Sequence, residues 1–111
     1  MKVLFIEDDA EIGEFVCDNL ERLGHQYAWA KDGESLIKIV VEFGITHFDF
    51  VLSDIHVPGY NFTHMIETCS RANVPLLAQS STSSRKHKYQ MRKALDINEL
   101  NRMITVTMEQ R

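Results

Sequence analysis

Short apolar segments alternate with longer segments of helical periodicity along the chain. Apolar runs predict strands over residues 2–6, 26–30, 48–53, 74–78 and 89–91. Apolar residues at spacings of three and four predict helices over 11–23 and 35–43, a third helix containing Phe62 and Cys69, and a last helix over 96–109. This alternation predicts an α/β fold, a doubly wound parallel sheet with helices on both faces and right-handed crossovers.

Length and composition predict one domain over residues 1–111, with no output domain on the same chain. Apolar residues make up 44% and charged residues 25%, which is an ordinary globular mixture. No signal peptide and no membrane-spanning stretch is recognised, so the predicted location is cytoplasmic. Cys17 and Cys69 lie within helical patterns, which indicates buried thiols rather than a disulfide or a zinc site.

Polar residues that could carry chemistry follow the predicted strands. Because parallel strands end at one edge of the sheet, Glu7, Asp8 and Asp54 are expected to converge there with Ser80 and Lys93. Neighbouring carboxylates repel one another unless a cation lies among them, and hard oxygen ligands suit Mg²⁺. The ion would make a carboxylate usable as a nucleophile, while the lysine and the serine would contact phosphoryl oxygens.

Five segments, in order, resemble the receiver domains of bacterial two-component response regulators. Residues 5–9 resemble the family's acidic opening, 30–34 its second loop, 54–59 its phosphoacceptor loop, 75–81 its fourth strand with the switch hydroxyl, and 93–100 its ending. The resemblance runs nearly from end to end of the chain. It implies a five-stranded parallel sheet of flavodoxin-like order 2-1-3-4-5.

The resemblance also implies a role for each matching residue. Glu7, Asp8, Asp54 and the backbone carbonyl of His56 would hold Mg²⁺, and Asp54 would accept a phosphoryl group from a histidine kinase or a phosphotransfer protein. The Ser80 hydroxyl and Lys93 would bind that group. The phosphorylated domain would then signal by contact with a downstream target protein, without turnover of a separate substrate.

The chain departs from the receiver pattern in its last third. Only residues 81–92 separate Ser80 from Lys93, which is too short for a helical crossover and a strand, so the fourth helix is predicted to be missing. Ala94 stands where the family has proline after the lysine. Gln90 occupies the usual position of the aromatic switch residue, with Tyr89 one place away, so conventional switching is in doubt.

Two other functions are open at this stage. One is a pseudo-receiver that binds partners without phosphorylation, using residues 81–92 for docking. The other is an enzyme such as a small phosphatase, which the lack of a second carboxylate at position 56 disfavours.

Partner surfaces are equally open. The wide apolar stripe of the second helix, which includes Ile37 and Val41, indicates either loose packing or a homodimer interface. Five basic residues within 85–93 form either a solvated loop or a docking patch for an acidic partner. Direct nucleic-acid binding is not expected, since no DNA-binding helix pair is recognised.

Overall fold

The computed structural model describes residues 1–79 together with Arg102 and Thr105. Four strands are present in this part of the chain: β1 (Lys2–Ile6), β2 (Gln26–Ala30), β3 (Phe50–Asp54) and β4 (Leu76–Gln79). Three α-helices connect them: α1 (Ala10–Arg22), α2 (Gly33–Phe43) and α3 (Phe62–Ala72). A single 3₁₀ turn at Ile45–His47 precedes β3.

The four strands form one parallel sheet in the order β2-β1-β3-β4. Strand β1 is central: Phe5 lies opposite Trp29 on one side and Leu52 on the other. Strand β3 is buried along its whole length, as expected for a central strand covered on both faces. The predicted α/β class and the strand order 2-1-3-4 are confirmed, while the fifth strand at 89–91 lies outside the described residues.

Two hydrophobic clusters cover the two faces of the sheet. Val3 and Phe5 point from β1 towards α1, where they share a cluster with Val16 and Leu20. The alternate residues of β1 point to the opposite face, into a cluster that receives side chains from α2 and α3. Successive side chains of a strand alternate between faces, so one buried strand supplies both clusters and confirms the helices on both sides.

Each of the helices α1, α2 and α3 follows a residue whose side chain accepts a hydrogen bond from the backbone of the first turn. Asp9 accepts the Ile12 N–H at the start of α1, and Asn61 accepts the His64 N–H at the start of α3. Asp32 caps α2 in a capping box with Ser35, whose hydrogen bonds lower the pKa of the Asp32 carboxyl. All three caps follow the carboxyl end of a strand. The starts of these helices therefore lie at the same edge of the sheet as the carboxyl ends of the strands.

Several predicted boundaries need correction. Helix α2 starts at Gly33 rather than at residue 35, because Asp32 acts as its N-cap. Strand β3 starts at Phe50 rather than 48, after the 3₁₀ turn. Strand β4 starts at Leu76 rather than 74, and the Pro75 carbonyl accepts the Val51 N–H just before it.

Part of the apolar stripe on α2 is solvent-exposed. Ile37 is 64% exposed and Val41 is 81% exposed, while Leu36 on the same helix is buried. The structure therefore shows an apolar face on α2, and its use as a homodimer interface stays a prediction.

Within the predicted last helix, Arg102 and Thr105 are helical and exposed. The predictions for Ser80, residues 81–92, Tyr89, Gln90, Lys93 and Ala94 fall outside the described residues. None of the helices in the described part of the chain is both long and apolar enough to cross a membrane.

Candidate functional site

Three carboxylates come together at the carboxyl edge of the sheet. Glu7 and Asp8 directly follow β1, and Asp54 is the last residue of β3. One carboxylate oxygen from each residue lies within 4.8 Å of the other two. Glu7 is fully buried and Asp54 is 5% exposed, whereas Asp8 is exposed to solvent.

Hydrogen bonds on both sides fix the backbone of Glu7. Its N–H donates to the Ala30 carbonyl at 3.0 Å, which extends the β1–β2 pairing by one residue. Its carbonyl accepts the indole Nε1–H of Trp29 at 2.9 Å. The Oε2 atom of its carboxylate also accepts the Asp9 N–H at 3.2 Å. The loop that carries two of the three acids is therefore tied to β2 and to the start of α1.

Trp29 supports the acid cluster, a role that was not predicted from the sequence. Its ring occupies the space beside Gly13 of α1, where a Cβ atom would overlap the ring. The Lys31 ammonium lies 4.7 Å from the ring centroid, within cation–π range. This role can be predicted only when the β1–β2 register is known. In that register Ala30 pairs with the last residue of β1, and Trp29 lies one residue before it.

Local backbone contacts orient the Asp54 side chain. The Ile55 N–H donates to Asp54 Oδ1 at 2.8 Å, and the Ser53 hydroxyl donates to the Asp54 carbonyl at 2.7 Å. The Tyr60 hydroxyl lies 2.7 Å from Ser53 Oγ. Asp54 was predicted from the sequence and the two hydroxyls were not, although a serine next to the apolar run of β3 is a signal for a buried polar contact.

The loop after Asp54 is held against the start of α2. The Tyr60 N–H donates to the Val57 carbonyl at 3.2 Å, and Gly59 has a φ of 71°, as the third position of a type II turn requires. The Gly33 N–H donates to the Pro58 carbonyl at 2.9 Å. A Cβ atom on Gly33 would overlap the Gly59 carbonyl, so the two backbones approach as closely as glycine permits.

The donor set fits a hard divalent cation. Oxygen ligands of an octahedral Mg²⁺ lie at about 2.1 Å from the ion and roughly 3–4 Å from one another. In this structure the three carboxylate oxygens all lie within 4.8 Å of one another, which is close to that spacing. Glu7, Asp8 and Asp54 could therefore hold the ion together with backbone and water oxygens. His56, whose carbonyl was predicted as a further ligand, is exposed in the loop after Asp54.

The two cysteines do not take part in this chemistry. Both are buried and unpaired with each other. Burial raises the pKa of the Cys17 thiol to about 11 and that of Cys69 to about 12, so neither supplies a thiolate at neutral pH. The prediction of buried thiols is confirmed.

Sequence comparisons with known proteins find two partial relatives in one species. No protein-family model matches the chain. The chain is 34% identical over 87 residues to YrkP of Bacillus subtilis, an uncharacterized transcriptional regulatory protein, in an alignment covering 75% of this chain and 35% of YrkP. It is 29% identical over 58 residues to a second such protein of that species, YbdJ, covering 52% of this chain and 24% of YbdJ. The chain thus spans about a third or less of each relative.

Several solved structures share the fold. The receiver domain of the hybrid histidine kinase CckA matches with a TM-score of 0.75 and 21% identity, covering 97% of this chain and 99% of that one. The HemR receiver domain of Leptospira biflexa matches with a TM-score of 0.79 and 19% identity, covering 96% of this chain and 93% of that one. The chemotaxis protein CheY4 of Vibrio cholerae matches with a TM-score of 0.77 and 21% identity, covering 96% of this chain and 97% of that one.

The chain therefore has the fold of response-regulator receiver domains, and the resemblance predicted from its motifs is confirmed. The acid cluster occupies the carboxyl edge of that fold. The roles of the individual residues stay predictions, and Ser80 and Lys93 lie outside the described residues.

Proposed function

We propose that this chain is a response-regulator receiver that accepts a phosphoryl group on Asp54 in a Mg²⁺-dependent reaction and signals by protein contact. One observation carries the proposal: three carboxylates from two adjacent strands converge within 4.8 Å, and the most buried pair includes the carboxylate at the end of β3. Such a cluster is costly to keep without a cation, so its convergence supports a site built for one.

Asp54 is the proposed nucleophile. One of its carboxylate oxygens attacks the phosphorus atom of a phosphohistidine on a histidine kinase or phosphotransfer protein. The new O–P bond forms as the P–N bond breaks, and the departing nitrogen keeps the electron pair and takes a proton. The Ile55 N–H holds Oδ1, which limits the rotation of the carboxylate before the reaction.

Glu7 and Asp8 are the proposed metal ligands with Asp54. The bound ion would supply positive charge to the carboxylate nucleophile and to the phosphoryl oxygens. Glu7 is fixed at its N–H and its carbonyl, whereas Asp8 reaches the cluster from the exposed side. We keep His56 as the proposed backbone ligand, and Ser80 and Lys93 as the proposed contacts to the phosphoryl group.

Incubation with Mg²⁺ and phosphoramidate, followed by intact mass measurement, tests the proposal. The wild type is expected to gain one phosphoryl group, and the gain should disappear with EDTA or in Asp54→Asn. Asp49→Asn is the matched control, because Asp49 lies before the other end of β3, where its carboxylate accepts the Lys2 N–H at 2.7 Å. Absence of any adduct on the wild type, also with a histidine kinase present, would favour a pseudo-receiver that acts without phosphorylation.

A further inference from the structure

The hydroxyl groups of Ser53 and Tyr60 form a hydrogen-bonded pair next to the backbone of Asp54. Ser53 is a fully buried polar residue that lies between the apolar part of β3 and Asp54. Its hydroxyl donates to the Asp54 carbonyl at 2.7 Å and contacts the Tyr60 hydroxyl at the same distance. Buried polar groups are retained when their hydrogen bonds are satisfied, and here both partners belong to the phosphoacceptor segment.

The direction of these hydrogen bonds follows from the number of protons. A serine hydroxyl has one proton, and Ser53 donates it to the Asp54 carbonyl. Tyr60 must therefore be the donor to Ser53. Burial raises the pKa of Tyr60 above its ordinary value, so its hydroxyl keeps its proton at neutral pH.

The chain of hydrogen bonds ends on the peptide group that controls the Asp54 carboxylate. The carbonyl of the peptide between residues 54 and 55 accepts the Ser53 hydroxyl, and the N–H of the same peptide donates to Asp54 Oδ1. Because a peptide group is planar, a rotation that breaks one of these bonds also disturbs the other. The Tyr60 hydroxyl is thus linked through Ser53 to the orientation of the carboxylate.

We infer that Tyr60, acting through Ser53, is a positioning residue that holds the Asp54 carboxylate in its reactive orientation. This inference rests on the proposed phosphorylation of Asp54. Tyr60 also closes the turn after Asp54 through its N–H, so its hydroxyl and its backbone fix the two ends of the same loop.

Tyr60→Phe removes the hydroxyl and keeps the ring. At saturating Mg²⁺, its rate of phosphorylation by phosphoramidate should fall about fivefold, as loss of one orienting hydrogen bond predicts. Tyr27→Phe is the matched control: the Tyr27 hydroxyl donates to Glu21 at 2.8 Å on the surface, and its loss should leave the rate unchanged. Thermal melting confirms that each variant is folded at the assay temperature.

A spectroscopic readout separates positioning from simple stabilisation. The carbonyl carbon of Asp54 reports on its hydrogen bond with Ser53, so its NMR chemical shift should change in Tyr60→Phe and stay constant in Tyr27→Phe. If Tyr60→Phe does not fold, Ser53→Ala interrupts the same chain while leaving the tyrosine ring in place. The double variant should be no slower than the slower single variant, because both changes break one chain.

The outcomes distinguish the inference from the function on which it rests. A slower Tyr60→Phe or Ser53→Ala, with a shifted Asp54 carbonyl, supports positioning. Equal rates in folded wild type, Tyr60→Phe and Ser53→Ala contradict the inference and leave phosphorylation of Asp54 intact. A wild type that takes no phosphoryl group overturns the proposed function and this inference together.

Discussion

Gly33→Ala tests the contact that holds the phosphoacceptor loop against α2. The added Cβ would overlap the Gly59 carbonyl group, which is backbone and has no rotamer by which to move away. The loop and the start of α2 must separate, which also stretches the hydrogen bond from the Gly33 N–H to the Pro58 carbonyl, now 2.9 Å long.

The expected loss of stability follows from three contributions. Overpacking at a tight contact costs about 1–3 kcal/mol, and weakening one backbone hydrogen bond adds up to about 1 kcal/mol. Alanine is better than glycine in a helix by up to about 1 kcal/mol, which offsets part of this cost. The net expectation is a loss of about 1–3 kcal/mol, which lowers the Tm of a domain of this size by roughly 5–15 °C.

Thermal and urea unfolding measure the loss, with Glu34→Ala as the control. Glu34 is in the same first turn of α2, its side chain is 82% exposed, and its ion pair with Lys38 spans 3.6 Å. Loss of such a surface pair costs at most about 0.5 kcal/mol. A Gly33→Ala protein as stable as wild type, with unchanged phosphorylation, would refute the close backbone contact and its role in holding the loop.

Three further predictions concern the acid cluster and its surroundings. Glu7→Gln should weaken Mg²⁺ binding at least about tenfold in calorimetry, because it removes a charged ligand. The control variant Glu34→Gln should bind Mg²⁺ as the wild type does. Equal Mg²⁺ affinities of Glu7→Gln and wild type would argue against the metal site. Trp29→Phe removes the donor to the Glu7 carbonyl and should destabilise the fold by about 1–3 kcal/mol in urea unfolding, with weaker Mg²⁺ binding; full stability would show that this hydrogen bond is dispensable. Burial and the nearby N-terminal ammonium lower the pKa of His25, so the unfolded chain binds more protons there and stability falls as the pH drops through about 6.5. His25→Gln should flatten this part of the stability curve, and an unchanged curve would contradict the assignment.

The sequence pattern predicted the fold because buried segments have a recognisable distribution of apolar residues. Runs such as 3–6 and 50–52 are apolar at every position, which occurs when both faces of a strand are covered. The convergence of Glu7, Asp8 and Asp54 followed from the rule that parallel strands end at one edge. Both predictions needed only the order of the elements.

The supporting contacts depend on geometry that the pattern does not contain. The Tyr60–Ser53 contact requires a particular turn and two rotamers, and the contact of Trp29 with the Glu7 carbonyl requires the β1–β2 register. The close approach of Gly33 to Gly59 joins the start of α2 to a loop residue 26 positions later in the sequence. The Asp-Gly pair at residues 32–33 is typical of turns, and the capping role of Asp32 is visible only with helix α2 in place.

The central claim is that Asp54 is the residue that takes the phosphoryl group, and locating the modification tests it most directly. Borohydride reduces an aspartyl phosphate to homoserine, so protein treated with Mg²⁺ and phosphoramidate can be reduced, digested and sequenced by tandem mass spectrometry. We expect homoserine at position 54 in the wild type, none without Mg²⁺, and none in Asp54→Asn. Homoserine at Asp8 or Asp9 instead, or no reduced residue in a protein that carries a phosphoryl group, would contradict the claim.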